Sequence, residues 1–365
     1  MGGTWPQEPH TRAKHDILRG YIEAWFAILG SQRGRIMFID GFAGPGVYDG
    51  GEPGSPIIVL EALLDHGHLP RLTSCEFVFL FNERKPDHFA SLCQVLGDLE
   101  RQRGGWPKNV KVYVSDKSFG DMADGLIAHR DGGRRLAPAF AFIDPFGYVD
   151  VSVKQIGELL RSPTSEAFIY LDSNSVNRFG TAGTNVDKHF ETLFGTTEFR
   201  GAPPSGHPDR MPYFIDLFRR QLKDLGGFTY TWSFAMRNQG NRIVNHMVFA
   251  TNHLTGLDKM KASMWRVDPS GGYEFSDHLA GQEVLFKPEP NFPALRAALL
   301  RRFGGQTVGI EDVRAFVIEH TPFFSGQLKT ATLAPMERDG LLDATGRTKR
   351  CTYPDGSCLT FHSTA

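Results

Sequence analysis

Hydrophobic positions along the chain alternate between helical spacing and short continuous runs. Residues 12–29 (RAKHDILRGYIEAWFAIL) set Ile17, Leu18, Tyr21, Ile22, Trp25, Ile28 and Leu29 on one broad face, which predicts an amphipathic helix. RIMFID at 35–40 is an apolar run that ends in Asp and enters DGFAGPG, the pattern of a buried strand running into a Gly/Pro turn. PIIVLEALLDH at 56–66 reads as a helix, with Ser55 expected as its N-cap and Pro56 at its first position. Strands are then expected at 76–83, 110–116 and 138–147, followed by helices at 87–101, 119–130 and 154–162, with a fifth strand at 166–174.

Strands that are near-continuous apolar runs belong in a parallel sheet covered on both faces. Right-handed crossovers wind such a sheet in both directions. A helix at 211–225 precedes two longer β-type runs, 228–238 and 242–253, separated by Gln-Gly-Asn, which signals a hairpin. Five parallel strands plus an antiparallel hairpin is the methyltransferase version of the doubly wound, Rossmann-like α/β fold. Residues 1–286 form that domain, and KPEPNFPA (287–294) reads as a linker. Over 295–365, three short helices (292–303, 308–320 and 325–342, the first beginning within the linker) and a strand-turn-strand (341–354 and 357–362) outline a winged-helix-like domain. There is no internal repeat and no low-complexity segment.

At 365 residues and 41% apolar content the chain can bury a full core, and its formal charge of −1 supplies no global field for nucleic acid or an anionic membrane. Any nucleic-acid contact must come from a local basic surface. No run approaches the ~20 apolar residues that span a bilayer. The opening MGGTWPQEPHTRAKHD lacks an apolar signal core, and Trp5-Pro6 disfavours a myristoylation start, so the cytoplasm is the expected address. Cys75, Cys93, Cys351 and Cys358 form no CxxC pair, which argues against a zinc site or disulfide framework. Cys75 and Cys93 are expected in core packing, and no resident metal is expected.

The chemistry concentrates at strand ends. In open α/β sheets ligands lie beyond the carboxyl ends of the strands, at the switch point. The loop Asp40-Gly41-Phe42-Ala43-Gly44-Pro45-Gly46 falls there, and its glycines permit close backbone approach to a ligand. It is neither G-x-G-x-x-G nor a P-loop. Asp40 suits a cationic amine such as that of S-adenosylmethionine, Glu83 suits ribose hydroxyls, and Asp116 suits the adenine amine. Asp144-Pro145-Phe146-Gly147 ends the fourth strand, where a carboxylate can hold an exocyclic amine while Phe146 stacks on a base. The alternative is that Asp144 caps a helix and Phe146 fills the core. Lys14, His15, Asn174, Asn177, Arg178, Asn245 and His246 are further polar candidates, His246 reading first as a core histidine. Arg301, Arg302, Arg347, Lys349 and Arg350 are candidate phosphate contacts, or else solvated basic turns.

DGFAGPG, GSP at 54–56, Phe81-Asn82-Glu83 and FIDPFG at 142–147 resemble the three-Cys-motif partner proteins (TcmP). So do the helix around Lys14, Leu18, Tyr21 and Trp25 and the segment HMVFATNH at 246–253; the likeness spans most of 12–265. It implies a S-adenosylmethionine-methyltransferase-like fold and a partner carrying a three-cysteine motif, similar to radical-SAM iron–sulfur enzymes. DPFG also resembles the motif of enzymes that methylate the guanine amine in tRNA, and departs from the DPPY of adenine and cytosine amine methyltransferases. The leading expectation is methyl transfer from S-adenosylmethionine to a nucleic-acid base amine. Its rivals are a non-catalytic partner of a three-Cys-motif protein and a metal-dependent nuclease using Asp40, Glu83 and Asp144.

Overall fold

The computed structural model describes residues 6–32, 34–145, 147, 151–179, 184–268, 274–276 and 291–363. Two compact units divide the chain: Met1–His253 with Glu274–Gly281, and Leu254–Tyr273 with Gln282–Ala365.

The first unit opens with α1 (Pro9–Gly30), β1 (Gly34–Asp40), α2 (Ser55–Leu64), β2 (Cys75–Asn82), α3 (Pro86–Gln102) and β3 (Val110–Ser115). It continues through α4 (Phe119–Asp131), β4 (Ala139–Ile143), α5 (Val153–Leu159), β5 (Glu166–Leu171), α6 (Ser173–Phe179), α7 (Thr184–Phe194) and α8 (Arg210–Asp224). A hairpin, β6 (Tyr230–Arg237) and β7 (Ile243–Thr251), follows. After α9 (Leu254–Val267), which belongs to the second unit, β8 (Glu274–Ser276) returns to the sheet.

The sheet order is β3-β2-β1-β4-β5-β7-β6-β8. β1 to β5 are parallel, β7 runs antiparallel to both β5 and β6, and β8 is parallel to β6. The molecule is therefore a mixed α/β protein with a mostly parallel eight-stranded sheet. From β1 the chain winds outward through β2 and β3, then returns to place β4 on the other side. The loops leaving β1 and β4 diverge, and a crevice opens between them.

Strand alternation sorts the two faces. Phe38, Phe77, Phe79, Phe81 and Phe140 interlock with Tyr21, Trp25 and Phe26 of α1; Phe38 and Phe140 stack at 5.8 Å between ring centroids. Ile39, Ala141, Ile143, Ala167 and Ile169 face a second cluster built by α4, α5, α7 and α8, with Phe190, Phe194, Phe214 and Phe218 at its centre. Loss of one such phenylalanine costs about 3–5 kcal/mol.

Several elements depart from the sequence expectation. Ser55 is the first residue of α2, behind an N-cap at Gly54, because its hydroxyl is bonded to Asp40. Helices α6 and α7 fill a stretch left unassigned; β8 was also unexpected.

The second unit adds α10 (Phe292–Phe303), β9 (Thr307–Gly309), α11 (Ile310–His320), α12 (Ala334–Arg338), β10 (Leu342–Thr345) and β11 (Cys358–Phe361). Its three-stranded sheet has the order β10-β11-β9. The helix expected at 325–342 is broken into a 3-10 turn at Ser325–Gln327, a π turn at Lys329–Leu333 and α12. Pro335 has no N–H to offer the preceding turn, and Leu333 N–H bonds to Leu328 O at 2.8 Å, five residues back. α9 joins this unit although the sequence groups it with the first. Its buried Lys261 ammonium caps the carbonyls of Ile318 and Thr321 at the end of α11, and Asp258 accepts from Ser325. Of the expected linker, 287–290 lies outside the described residues.

Candidate active site

The β1–α2 loop is stitched to its neighbours by backbone bonds. Gly41 N–H reaches Phe142 O at 2.9 Å, and Ala43 N–H reaches Asn82 O at 2.8 Å. Gly44 and Gly46 adopt φ of +64° and +86°, a region that side chains resist. The Gly44 N–H donates to Glu83 Oε2 at 3.0 Å, and Lys85 N–H to Glu83 Oε1 at 2.7 Å. Glu83, just past β2, is thus fixed by two backbone donors.

Asp40 departs from its expected role as a ligand contact. It is fully buried and does not line the cavity described below. Its Oδ1 accepts Phe42 N–H at 3.1 Å and its Oδ2 accepts the Ser55 hydroxyl at 2.7 Å. Burial, against these two bonds, pushes its pKa up to about 7. The last residue of β1 points inward and braces the loop from behind.

A cavity of about 360 Å³ lies in front of the loop, within the usual range for small-ligand pockets. Gly44, Tyr48, Asp144 and Tyr170 line it together with Lys14 and His15 of α1. The Lys14 ammonium is paired with Asp144 Oδ2 and stands 5.3 Å from the centroid of the Tyr170 ring. His15 is buried against Tyr48 at 5.8 Å, and burial, then the Lys14 charge, lowers its pKa to about 3. It is a neutral wall at physiological pH. Burial and the nearby Asp144 and Asp40 raise the Tyr48 phenol above its ordinary range.

Beside the cavity, a recess of about 110 Å³ is bounded by Phe42, Asn82, Glu83, Lys117, Ser118 and Phe119. The Phe42 and Phe119 rings stack at 5.4 Å. Asp116 is exposed and does not bound this recess. Pro145 is buried and lines the main cavity, as does Gly147; Phe146 lies outside the described residues.

The remaining candidates disperse. Asn174 and Arg178 are exposed on α6, and the Asn177 carbonyl serves the buried Arg210. His246 Nδ1 meets Ser173 Oγ at 2.8 Å, and burial lowers its pKa to about 4: it is a satisfied core histidine. Asn245 is buried beside it. Cys75 is buried as expected, whereas Cys93 is exposed. In the second unit Arg301, Arg302, Lys349 and Arg350 are exposed. Arg347 is a correction: it is 10% exposed, and its guanidinium grips Glu337, which also accepts from Tyr353 at 2.7 Å. The hydrogen bond from Arg347 is the main reason the Glu337 pKa falls to about 2. Among the described residues no group of three His, Cys, Asp or Glu side chains is arranged to hold a metal ion. Asp40 and Glu83 do not line the cavity that Asp144 lines, so the three carboxylates of the nuclease expectation are not brought together in one cavity. Among the described residues no helix is long and apolar enough to cross a membrane.

Tyr48 and Tyr170 were not anticipated at the site, nor was the pairing of Lys14 with Asp144. A lysine inside the apolar stripe that continues through Ile17, Leu18 and Tyr21 was the available signal.

No protein-family model matches the chain, and no curated protein matches it. Among solved structures it is similar to a conserved hypothetical protein of Streptococcus pyogenes, with 14% identity over 41% of this chain and 75% of that one, at a TM-score of 0.26. It is also similar to the CMeT domain of the citrinin polyketide synthase, with 12% identity over 61% of this chain, at a TM-score of 0.28. The chain spans about half of that second structure, 47% of its length.

Proposed function

We propose that the first unit is a S-adenosylmethionine-dependent methyltransferase acting on an amine held at Asp144, and that the amine belongs to a nucleic-acid base. The observation that carries this reading is a convergence at one switch point: a glycine loop, a fixed carboxylate at the end of β2, and a cavity bearing Asp144.

The residues present fit the cofactor. A Cβ built on Gly44 meets nothing within 4 Å, so the loop faces open space that any side chain would begin to fill. Glu83 would take the ribose hydroxyls. The recess at Phe42 and Phe119 would take the adenine, whose edge would meet Lys117 and Ser118 rather than the outlying Asp116. Lys14 would face the carboxylate of the methionine end.

When bound, the cofactor supplies an electrophilic methyl group. Asp144 would accept an N–H of the acceptor and direct the nitrogen lone pair away from itself. Tyr48 and Tyr170 wall the cavity against water, and neutral His15 adds no charge to repel a sulfonium.

The second unit supports the nucleic-acid half of the proposal. We read its order of helix, strand, helix, helix, strand, turn and strand as a winged-helix-like arrangement in which residues 346–357 would be the wing. Arg301, Arg302, Lys349 and Arg350 are the cations offered to phosphates.

Calorimetric titration with S-adenosylmethionine and S-adenosylhomocysteine tests the first half, and labelled methyl transfer to tRNA and DNA tests the second. Binding with transfer supports the proposal; folded protein that binds neither ligand overturns it. A second reading, a non-catalytic partner of a three-Cys-motif iron–sulfur protein, is favoured by one observation: the carboxylate an acceptor needs is already paired with Lys14. Cofactor binding without transfer to either nucleic acid, together with capture of such a protein, would decide for it.

A further inference from the structure

We infer that Lys14 is a two-position latch, which holds Asp144 before cofactor enters and passes to the cofactor's carboxylate afterwards, leaving Asp144 free for the acceptor amine. The inference rests on the cofactor reading above and deepens it into an order of binding.

Charge complementarity is the first ground. Lys14 is the only Lys or Arg among the described residues lining the cavity, whose other charged side chains are the carboxylates Glu8, Asp144 and Asp172, so a carboxylate that enters has no other fixed cation to meet. A carboxylate drawn into this part-open cavity beside other carboxylates is best placed against a cation, because an unpaired, partly desolvated charge is costly. The second ground is that Lys14 already has a partner. The side chains of Lys14 and Asp144 are 9% and 21% exposed, so neither is freely hydrated if the pair parts without replacement. An incoming carboxylate therefore competes with Asp144 for the one ammonium, and the acceptor amine takes the place of Lys14 at Asp144.

The surroundings suit an exchange. Ile17, Leu18 and Tyr21 bury the helix that carries Lys14, so its backbone is held while the four-carbon stem supplies reach. The Tyr170 ring at 5.3 Å offers a second attraction that keeps the ammonium inside the cavity as its anionic partner changes. Two consequences follow. Cofactor binding uncovers Asp144, and an acceptor amine arriving first must compete with Lys14 for the same carboxylate. Binding is ordered, cofactor before acceptor.

Calorimetry on the full chain tests the latch with two probes: S-adenosylhomocysteine, and 5′-methylthioadenosine, which lacks the amino-acid end. Asp144→Asn removes the competitor and should tighten S-adenosylhomocysteine binding by roughly three- to tenfold. Lys14→Met should weaken it by about 10- to 100-fold, and Lys14→Arg should restore it to within a few-fold. Affinity for 5′-methylthioadenosine should stay within about twofold in all three variants, since that probe has no carboxylate to exchange. Unchanged or weaker S-adenosylhomocysteine binding in Asp144→Asn overturns the latch while leaving the cofactor reading intact. Parallel losses for both probes in Lys14→Met overturn it too, by making Lys14 a structural support. If the wild-type chain, folded by its thermal transition, binds neither probe, the cofactor reading fails and the latch with it.

Discussion

Two substitutions of Asp40 separate bracing from ligand contact. Asp40→Ala strands the Phe42 N–H and the Ser55 hydroxyl, whose acceptors now lie at 3.1 and 2.7 Å. At about 1–3 kcal/mol for each stranded group, a loss of ~3 kcal/mol is expected, or about 6–12 °C in Tm for a unit of this size. Asp40→Asn behaves differently, because its Oδ1 can accept from Phe42 while its amide donates to Ser55. That is the pattern a protonated Asp40 makes. The native pKa of about 7 lies above the ordinary 3.8, so the folded state favours the proton. The stability this gives is complete below pH ~4 and disappears as pH rises through 7, amounting to up to about 4 kcal/mol. Asp40→Asn should match the wild type near pH 4, where both side chains are neutral, and exceed it at pH 8, in urea unfolding followed by circular dichroism. It should also keep affinity for S-adenosylhomocysteine. Loss of that affinity at unchanged stability would refute the bracing role and return Asp40 to the ligand. Parallel pH profiles for variant and wild type would refute the buried, proton-favouring environment.

Other perturbations address separate parts of the molecule. Glu166, buried between Tyr21 and Thr251, has its pKa raised to about 7, chiefly by burial. Its stabilisation is complete below pH ~4.5 and is lost as pH rises through 7, so Glu166→Gln should remove a slope worth up to about 3 kcal/mol from the pH–stability curve. Arg347→Ala leaves buried Glu337 with only the exposed Arg350, at 3.4 Å, as its cation and should cost about 1–3 kcal/mol, read as a lower Tm. It should leave the salt dependence of nucleic-acid binding unchanged, whereas Arg301→Glu with Lys349→Glu should lower both affinity and slope in a filter or anisotropy titration. Asp144→Ala removes the acceptor for the amine N–H and should abolish labelled methyl transfer while cofactor binding persists; transfer at wild-type rate would remove Asp144 from the reaction.

Most of the sheet was legible because buried parallel strands are written as unbroken apolar runs, and each run here was followed by a helical stripe. The hairpin was legible from its turn, where Asn241 adopts φ of 56°. What escaped lacks a local signal. Helix α7 shows few apolar positions beyond Phe190, Leu193 and Phe194, and its polar remainder reads as loop. The alternation that reveals a strand does not say whether its last residue faces ligand or core, so Asp40 was assigned outward. Lys14 and Asp144 are 130 residues apart, and only the sheet order brings them together. Arg347 reads from the sequence as a phosphate contact or a solvated charge on a basic turn, because Glu337, ten residues earlier, gives no sign of being buried.

The chain crosses between its two units three times, after His253, Tyr273 and Gly281. No single cut can therefore release either unit whole. A fragment ending at His253 would lack β8 and the Arg237–Glu274 ion pair of 2.7 Å, and would leave β6 as a bare edge open to strand pairing with other chains. On the ribosome, the last strand of the sheet is made only after α9, so the earlier-starting unit must wait for part of the later one. Excision by protease or by truncation should thus yield aggregation-prone pieces, whereas an internal splice joining His253 to Glu274 would keep every strand of the sheet in one fragment.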